Sequence, residues 1–176
     1  MRSLLSLALS LVLVAAPAWG RVNNHYAKWK LGQPYGYRDL NLSPTRWKIR
    51  SMSYKAGMDF TVAMALHRVA ILAKANGFEN LAAVSLKVTC SNLFRAAPKG
   101  CVGTALDEEV DIIAVGFNPG NPVPPCEQTG RWAVNCRTVA VDQLLADLRP
   151  SLGLTSQQDE QEVATARLES TARNNK

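Results

Sequence analysis

Long hydrophobic runs are nearly missing from this chain of 176 residues: only Leu4 to Ala16 qualifies, thirteen positions interrupted by Ser6 and Ser10. A helix that crosses a bilayer needs about 20 consecutive apolar residues, so this run is too short to be a membrane anchor. Histidine is almost absent, with His25 and His67 alone, which leaves few ways to build an imidazole metal site or a His-based catalytic centre. None of the four cysteines stands in a CxxC pair, the spacing that zinc sites and thiol exchange prefer. The chain also lacks a glycine loop that could cradle phosphates and any nucleophile-elbow context for its serines, and it shows no internal repeat.

What the short apolar run does fit is a secretory signal peptide over residues 1–20. Arg2 is the basic start, Leu4 to Ala16 the apolar centre, and Ala16-Pro17-Ala18-Trp19-Gly20 supplies small residues for cleavage. No cysteine follows the expected cut, so lipid anchoring is not expected, and the mature chain is not membrane-spanning. Export to the periplasm or beyond changes how the cysteines read. In an oxidising compartment Cys90, Cys101, Cys126 and Cys136 become two disulfides. Four cysteines allow three connectivities; the spacing favours the local pairs Cys90 with Cys101 and Cys126 with Cys136.

Acidic residues are scarce in one stretch. Arg21 to Lys55 holds eight cations, Arg21, Lys28, Lys30, Arg38, Arg46, Lys48, Arg50 and Lys55, against Asp39 alone, a net of +7. From Ala56 onward eleven basic and thirteen acidic residues leave −2, so the positive excess of the mature chain lies at its start. Tyr26, Trp29, Tyr35, Tyr37, Trp47 and Tyr54 are interleaved with these cations, a mixture suited to anionic polymers, headgroups or sugars. The competing reading is an N-terminal arm whose aromatics pack inward while its charges face water.

The chain after the signal reads as a basic aromatic arm (21–44), an α+β domain (45–154) and a flexible or loosely helical tail (155–176). Gly32, Pro34, Gly36 and Pro44 break any period in the arm. Arg46-Trp47-Lys48-Ile49-Arg50 alternates as a strand with Trp47 and Ile49 inward. Gly57 to Asn76 is the clearest helix, capped by Asp59 and ended at Gly77, with Phe78 folding back on Leu72 or Ala73. Val84, Leu86, Val88 and Cys90 should share one strand face, and Glu109 to Phe117, apolar on both faces at Ile112 to Val115, should be central in the sheet. The prolines after Asn118 make an extended loop, Trp132 to Cys136 reads as a short strand, and Val141, Leu144, Leu145, Leu148 and Leu152 mark a helix that should weaken at Pro150. In the tail only Val163 and Leu168 are large and apolar, too few to pin a long helix, although Ser156 with Asp159 could cap one. The expectation is an α+β sandwich, a mostly antiparallel sheet of three to four strands with two helices packed on one face.

Asp107, Glu108, Glu109 and Asp111 form the one acidic cluster, with Glu109 and Asp111 on the same side of a strand. A carboxylate pair can serve glycoside hydrolysis, but a solvated strand start is the plainer reading, with pairing to the basic arm as a second role. His67 reads as a packed histidine, because no carboxylate stands within one helical turn to orient it. No cofactor or metal is expected, and His25 does not amount to a copper site.

Gly36-Tyr37-Arg38-Asp39, the helix around His67-Arg68-Val69-Ala70-Ile71-Leu72-Ala73 and the following Gly77-Phe78 give Tyr35 to about Gly153 a resemblance to small exported bacterial envelope proteins of uncharacterised function. Members of that group are often lipoproteins, whereas the lipid-bearing cysteine is missing here. The resemblance implies an α+β envelope protein and no catalytic residues. The functional expectation is a non-enzymatic periplasmic or secreted protein that binds an envelope partner, whether a protein, an anionic glycan or a lipid headgroup. The candidate contacts are Lys28, Trp29, Lys30, Tyr35, Tyr37, Arg38, Arg46, Lys48 and Arg50; nucleic acid is not expected. The alternative is a small hydrolase that uses Glu109 and Asp111.

Overall fold

The computed structural model describes residues 26–30, 35–92, 95–96, 107–128 and 136–174. Its chain order is β1 (Gly36–Ser43), β2 (Arg46–Tyr54), α1 (Met58–Ala75), β3 (Asn80–Asn92), β4 (Arg95–Ala96), β5 (Asp107–Phe117), β6 (Arg137–Ala140), α2 (Val141–Leu152) and α3 (Ser156–Asn174). The strands form one antiparallel sheet in the order β1-β2-β5-β3, and the far edge of β3 pairs with β6 at its start and β4 at its end. β2, α1 and β3 make a split β-α-β unit, because β5 lies between the two strands that the helix connects. The α+β class and antiparallel pairing are as expected; the sheet has more strands and the molecule one more helix than the sequence suggested.

The alternation of β2 does what it promised. Trp47 and Ile49 are buried, and the same face continues into Ser51 and Ser53, whose hydroxyls bond Thr61 of α1. β5 is central, with Val110, Ile112 and Ala114 buried toward the core. α1 lies across β2 and β5, while α2 and α3 pack against α1 rather than sharing a helical layer directly on the sheet. Its end is a full Schellman turn: Phe78 N–H donates to the Ala73 carbonyl at 3.0 Å, Gly77 N–H donates to the Lys74 carbonyl, and Gly77 takes the left-handed φ of 80°. At the other end Asp59 makes no capping bond. It sits in the first turn, favourable there for the helix dipole, while Thr61 closes the turn onto the Gly57 carbonyl.

β1 shows why the arm could not be read from periodicity. Paired residues of antiparallel strands share a face. Tyr37, Asp39 and Asn41 pair with Ser51, Ile49 and Trp47 on the helix side, while Arg38 and Leu40 pair with Arg50 and Lys48 on the opposite side. The usual pattern is inverted, polar residues in and a leucine out. Residues 36–43 therefore belong to the sheet, not to a covering arm ending at 44. Gly36 is needed because Ala27 runs alongside, and a Cβ there would collide with the Ala27 carbonyl oxygen.

Three further expectations are corrected. In β3, Leu86, Val88 and Cys90 do share one face, opposite Ile112, Val110 and Glu108, but the irregularity between Ala83 and Ser85 takes Val84 out of that row, and Val88 stays exposed. α2 runs through Pro150 to Leu152, because a proline in the last turn removes only one backbone bond; Gly153 then ends the helix with φ 65°. The tail is a regular helix, α3, and its cap is Thr155 with Gln158. Thr155 Oγ1 accepts from the Gln158 N–H at 3.3 Å, and Gln158 Oε1 accepts from the Thr155 N–H at 2.8 Å, which makes a capping box one residue earlier than the Ser156–Asp159 pair.

Cys126 and Cys136 form a disulfide, as their spacing suggested. Closing so short a loop contributes about 2–3 kcal/mol in the chain-entropy account. The expected Cys90–Cys101 bridge and the strand over 132–136 lie outside the described residues, as does the signal segment. No helix among the described residues is long and apolar enough to cross a membrane.

Candidate functional site

Two polar constellations stand out, one on each side of the sheet. The first lies beneath α3. His67 and Arg68, adjacent on α1, are buried to 0% and 2% exposure. The sequence around His67 offered no carboxylate, yet α3 brings Asp159 from 92 residues away, with His67 Nε2 at 2.9 Å from Asp159 Oδ1. Asp159 also accepts from Arg149 Nε of α2. Arg68 reaches Asp39 of β1 at 2.9 Å and Glu162 of α3 at 3.0 Å, with Glu169 at 3.7 Å, and its guanidinium lies 4.9 Å over the Tyr37 ring. Tyr37 donates its hydroxyl to Glu162. α3 buries only Val163, Ala166 and Asp159, while Leu168 is exposed. The paucity of apolar residues was read correctly. Beside the apolar contacts of Val163 and Ala166, the helix is tied down by Asp159 on His67 and Arg149 and by Glu162 on Arg68.

Burial pushes the His67 imidazole below its ordinary value, against the pull of Asp159. Geometry gives the same direction, since Nδ1 is buried with no acceptor and a second ring proton would have nothing to bond. Burial alone would raise the Asp39 carboxyl, but Arg68 outweighs it and holds it below the usual carboxylate range. For His67 the unfolded chain takes up its proton first, so stability falls as pH drops below about 6.5. For Asp39 the contribution is present above about 4 and is lost as pH falls further. Urea unfolding of the native protein should therefore show stability declining between about pH 7 and 5, and His67→Gln should flatten that interval. An undiminished decline in the variant would remove His67 from the account.

The second constellation covers the helix-free face. Arg46, Lys48 and Arg50 of β2 lie there two residues apart, spaced by about 7 Å along the strand. Asp111 of β5 receives Arg50 Nε at 3.0 Å and Lys48 Nζ at 3.3 Å, and Glu109 receives Arg50 Nε at 2.9 Å. Arg46 binds Glu127 at 2.6 Å, whose own N–H donates to Val84, so the proline-rich loop crosses this face from β3 to β2. Burial would raise Asp111, but its bonds to Arg50 and Lys48 outweigh that and hold its carboxyl low. The Asp111 hydrogen bond in turn raises Arg50. The suggested pairing of acidic cluster and basic stretch is therefore present, and Asp107 joins it by accepting the Tyr35 hydroxyl at 3.1 Å.

The nine candidate contacts do not form one surface. Arg38, Arg46, Lys48 and Arg50 share the helix-free face. Lys28 belongs to the other side, where it pairs with Glu169 at 2.9 Å. Tyr37 is buried beneath Arg68, Tyr35 packs against Tyr54, and Trp29 bonds the Tyr37 backbone beside exposed Lys30. Not among the candidate contacts was Lys87, which pairs across from Asp111 on β3 and is exposed. The row Arg38–Arg50–Asp111–Lys87 sets two arginines directly opposite each other, an arrangement that destabilises a sheet unless counter-charge is near. Arg38 and Lys87 have no ion-pair partner among the described residues. Among those residues, no group of three or more His, Cys, Asp or Glu side chains could hold a metal ion. No protein-family model, curated protein or solved structure matches the chain.

Proposed function

We propose that the chain is an exported, non-enzymatic protein that binds an anionic envelope partner through the helix-free face of its sheet. The observation that carries the reading is the facing pair Arg38 and Arg50 on an exposed face that also holds Arg46, Lys48 and Lys87. Among the described residues four acids, Asp107, Glu109, Asp111 and Glu127, stand against these five cations, and Arg38 and Lys87 are left without an ion-pair partner, available to a ligand. The Cys126–Cys136 disulfide supports an oxidising compartment. The hydrolase alternative fares worse. Glu109 and Asp111 are both bound by Arg50, and an Asp111 held below the usual range is a poor proton donor.

Retention on anionic envelope fractions should be strong at low salt and fall steeply as salt rises, because exposed charges are screened beyond about 10 Å at 0.1 M. Arg38→Gln with Lys87→Gln should weaken it, since neither side chain has an ion-pair partner to lose among the described residues. Retention insensitive to salt and to both substitutions would overturn the reading.

A further inference from the structure

We propose that the partner is an anionic lipid surface, onto which the helix-free face docks with the outer rim of β1 entering the interface. This rests on the binding reading above and adds to it the inverted pattern of β1. Leu40 is 57% exposed and pairs opposite Lys48 on the helix-free face, two residues from Arg38. Leu42, where the register slips just before the hairpin turn, is 45% exposed. An edge strand is normally protected by charge or by short length. Here the rim carries leucines at the very positions where solvent-facing polar residues would be expected. At the outer edge of β1, Lys28 forms an isolated bridge with Tyr37, three residues before Leu40.

The combination decides the occupant. A soluble anionic glycan would answer Arg38, Lys48 and Arg50 but offers no apolar phase, so Leu40 and Leu42 would stay in water. The boundary of an anionic bilayer answers both, with lipid phosphates for the cations and the acyl margin for the leucines. Arg and Lys stems can lie along that margin with their charged ends at the headgroups. The contact is peripheral, made by a strand rim and a charged face.

The test is co-sedimentation of the full mature protein with phosphatidylglycerol/phosphatidylcholine vesicles and with phosphatidylcholine alone, beside retention on a soluble polyanion, dextran sulfate. Binding to the anionic vesicles is expected, at least about tenfold weaker on phosphatidylcholine. Leu40→Ser with Leu42→Ser should weaken vesicle binding about tenfold or more while leaving dextran sulfate retention unchanged. Arg38→Gln with Lys48→Gln should reduce both. These are surface positions, and unchanged thermal melts would show that the variants fold. Retention on dextran sulfate without vesicle binding, or vesicle binding that ignores the leucines, overturns the lipid assignment and leaves a glycan or acidic protein as partner. Failure to bind either ligand overturns the binding reading itself.

Discussion

Replacing Arg68 with alanine is expected to destabilise the protein by about 3–5 kcal/mol, the usual result of breaking a buried ion pair from one side. Arg68 is the hub that joins α1 to β1 and α3 through Asp39 and Glu162. The Asp39 side chain is only 6% exposed, so without the guanidinium it would be a buried carboxylate lacking its counter-ion. Glu162 and Glu169 are about one-third exposed and can turn to water, so most of the loss comes from Asp39. The variant should also lose hydrogen-exchange protection in α3 before the sheet loses it, because α3 has few apolar contacts to fall back on. A urea midpoint corresponding to a loss below about 1 kcal/mol would show that the buried Asp39 carboxylate does not depend on the Arg68 guanidinium.

Trp47→Ala should cost about as much, roughly 3–5 kcal/mol, by a different mechanism. Trp47 is 1% exposed on β2 and meets the edge of Phe78 with ring centroids 6.0 Å apart. Phe78 cannot easily move to fill the space. Its ring lies so close over Gly116 that a Cβ there would come within 2.6 Å, and its backbone is held by the Schellman bond to Ala73. A cavity that neighbours cannot collapse into carries the higher penalty. Against a total stability of about 5–15 kcal/mol this is a large fraction, visible as a fall of about 10 °C in Tm. Trp47→Phe should lose markedly less; equal losses for the two would point to a role other than packing.

The legible parts of the fold were those in which apolar residues repeat. Trp47 and Ile49 in β2 and Val141, Leu145 and Leu152 in α2 all face the core as their spacing implied. Cys126–Cys136 was legible from its short spacing. β1 was not, because its helix-side positions are Tyr37, Asp39 and Asn41, and hydrophobic periodicity has no signal for a strand whose helix-side face is polar. α3 was missed for a related reason: Asp159, Val163, Ala166 and Ser170 recur at helical spacing, yet two of the four are polar and find their partners on α1 and at its end. The Thr155–Gln158 capping box was available as a motif and lay one residue from the pair chosen. As for the candidate site, charge counting marked out the basic stretch. Counting could not divide it between two faces, because Lys28 and Arg38 are separated by the strand pleat and not by distance along the chain.

That division is what the account adds, and it can be measured. Two doubly substituted proteins, Arg38→Glu with Lys48→Glu and Lys28→Gln with Lys30→Gln, are compared for retention on anionic envelope fractions at low salt. The account predicts that the first loses retention by about tenfold or more while the second keeps most of it, since only the first alters the helix-free face. Equal losses, or a greater loss in the Lys28 and Lys30 protein, would contradict it and return the binding surface to the N-terminal arm.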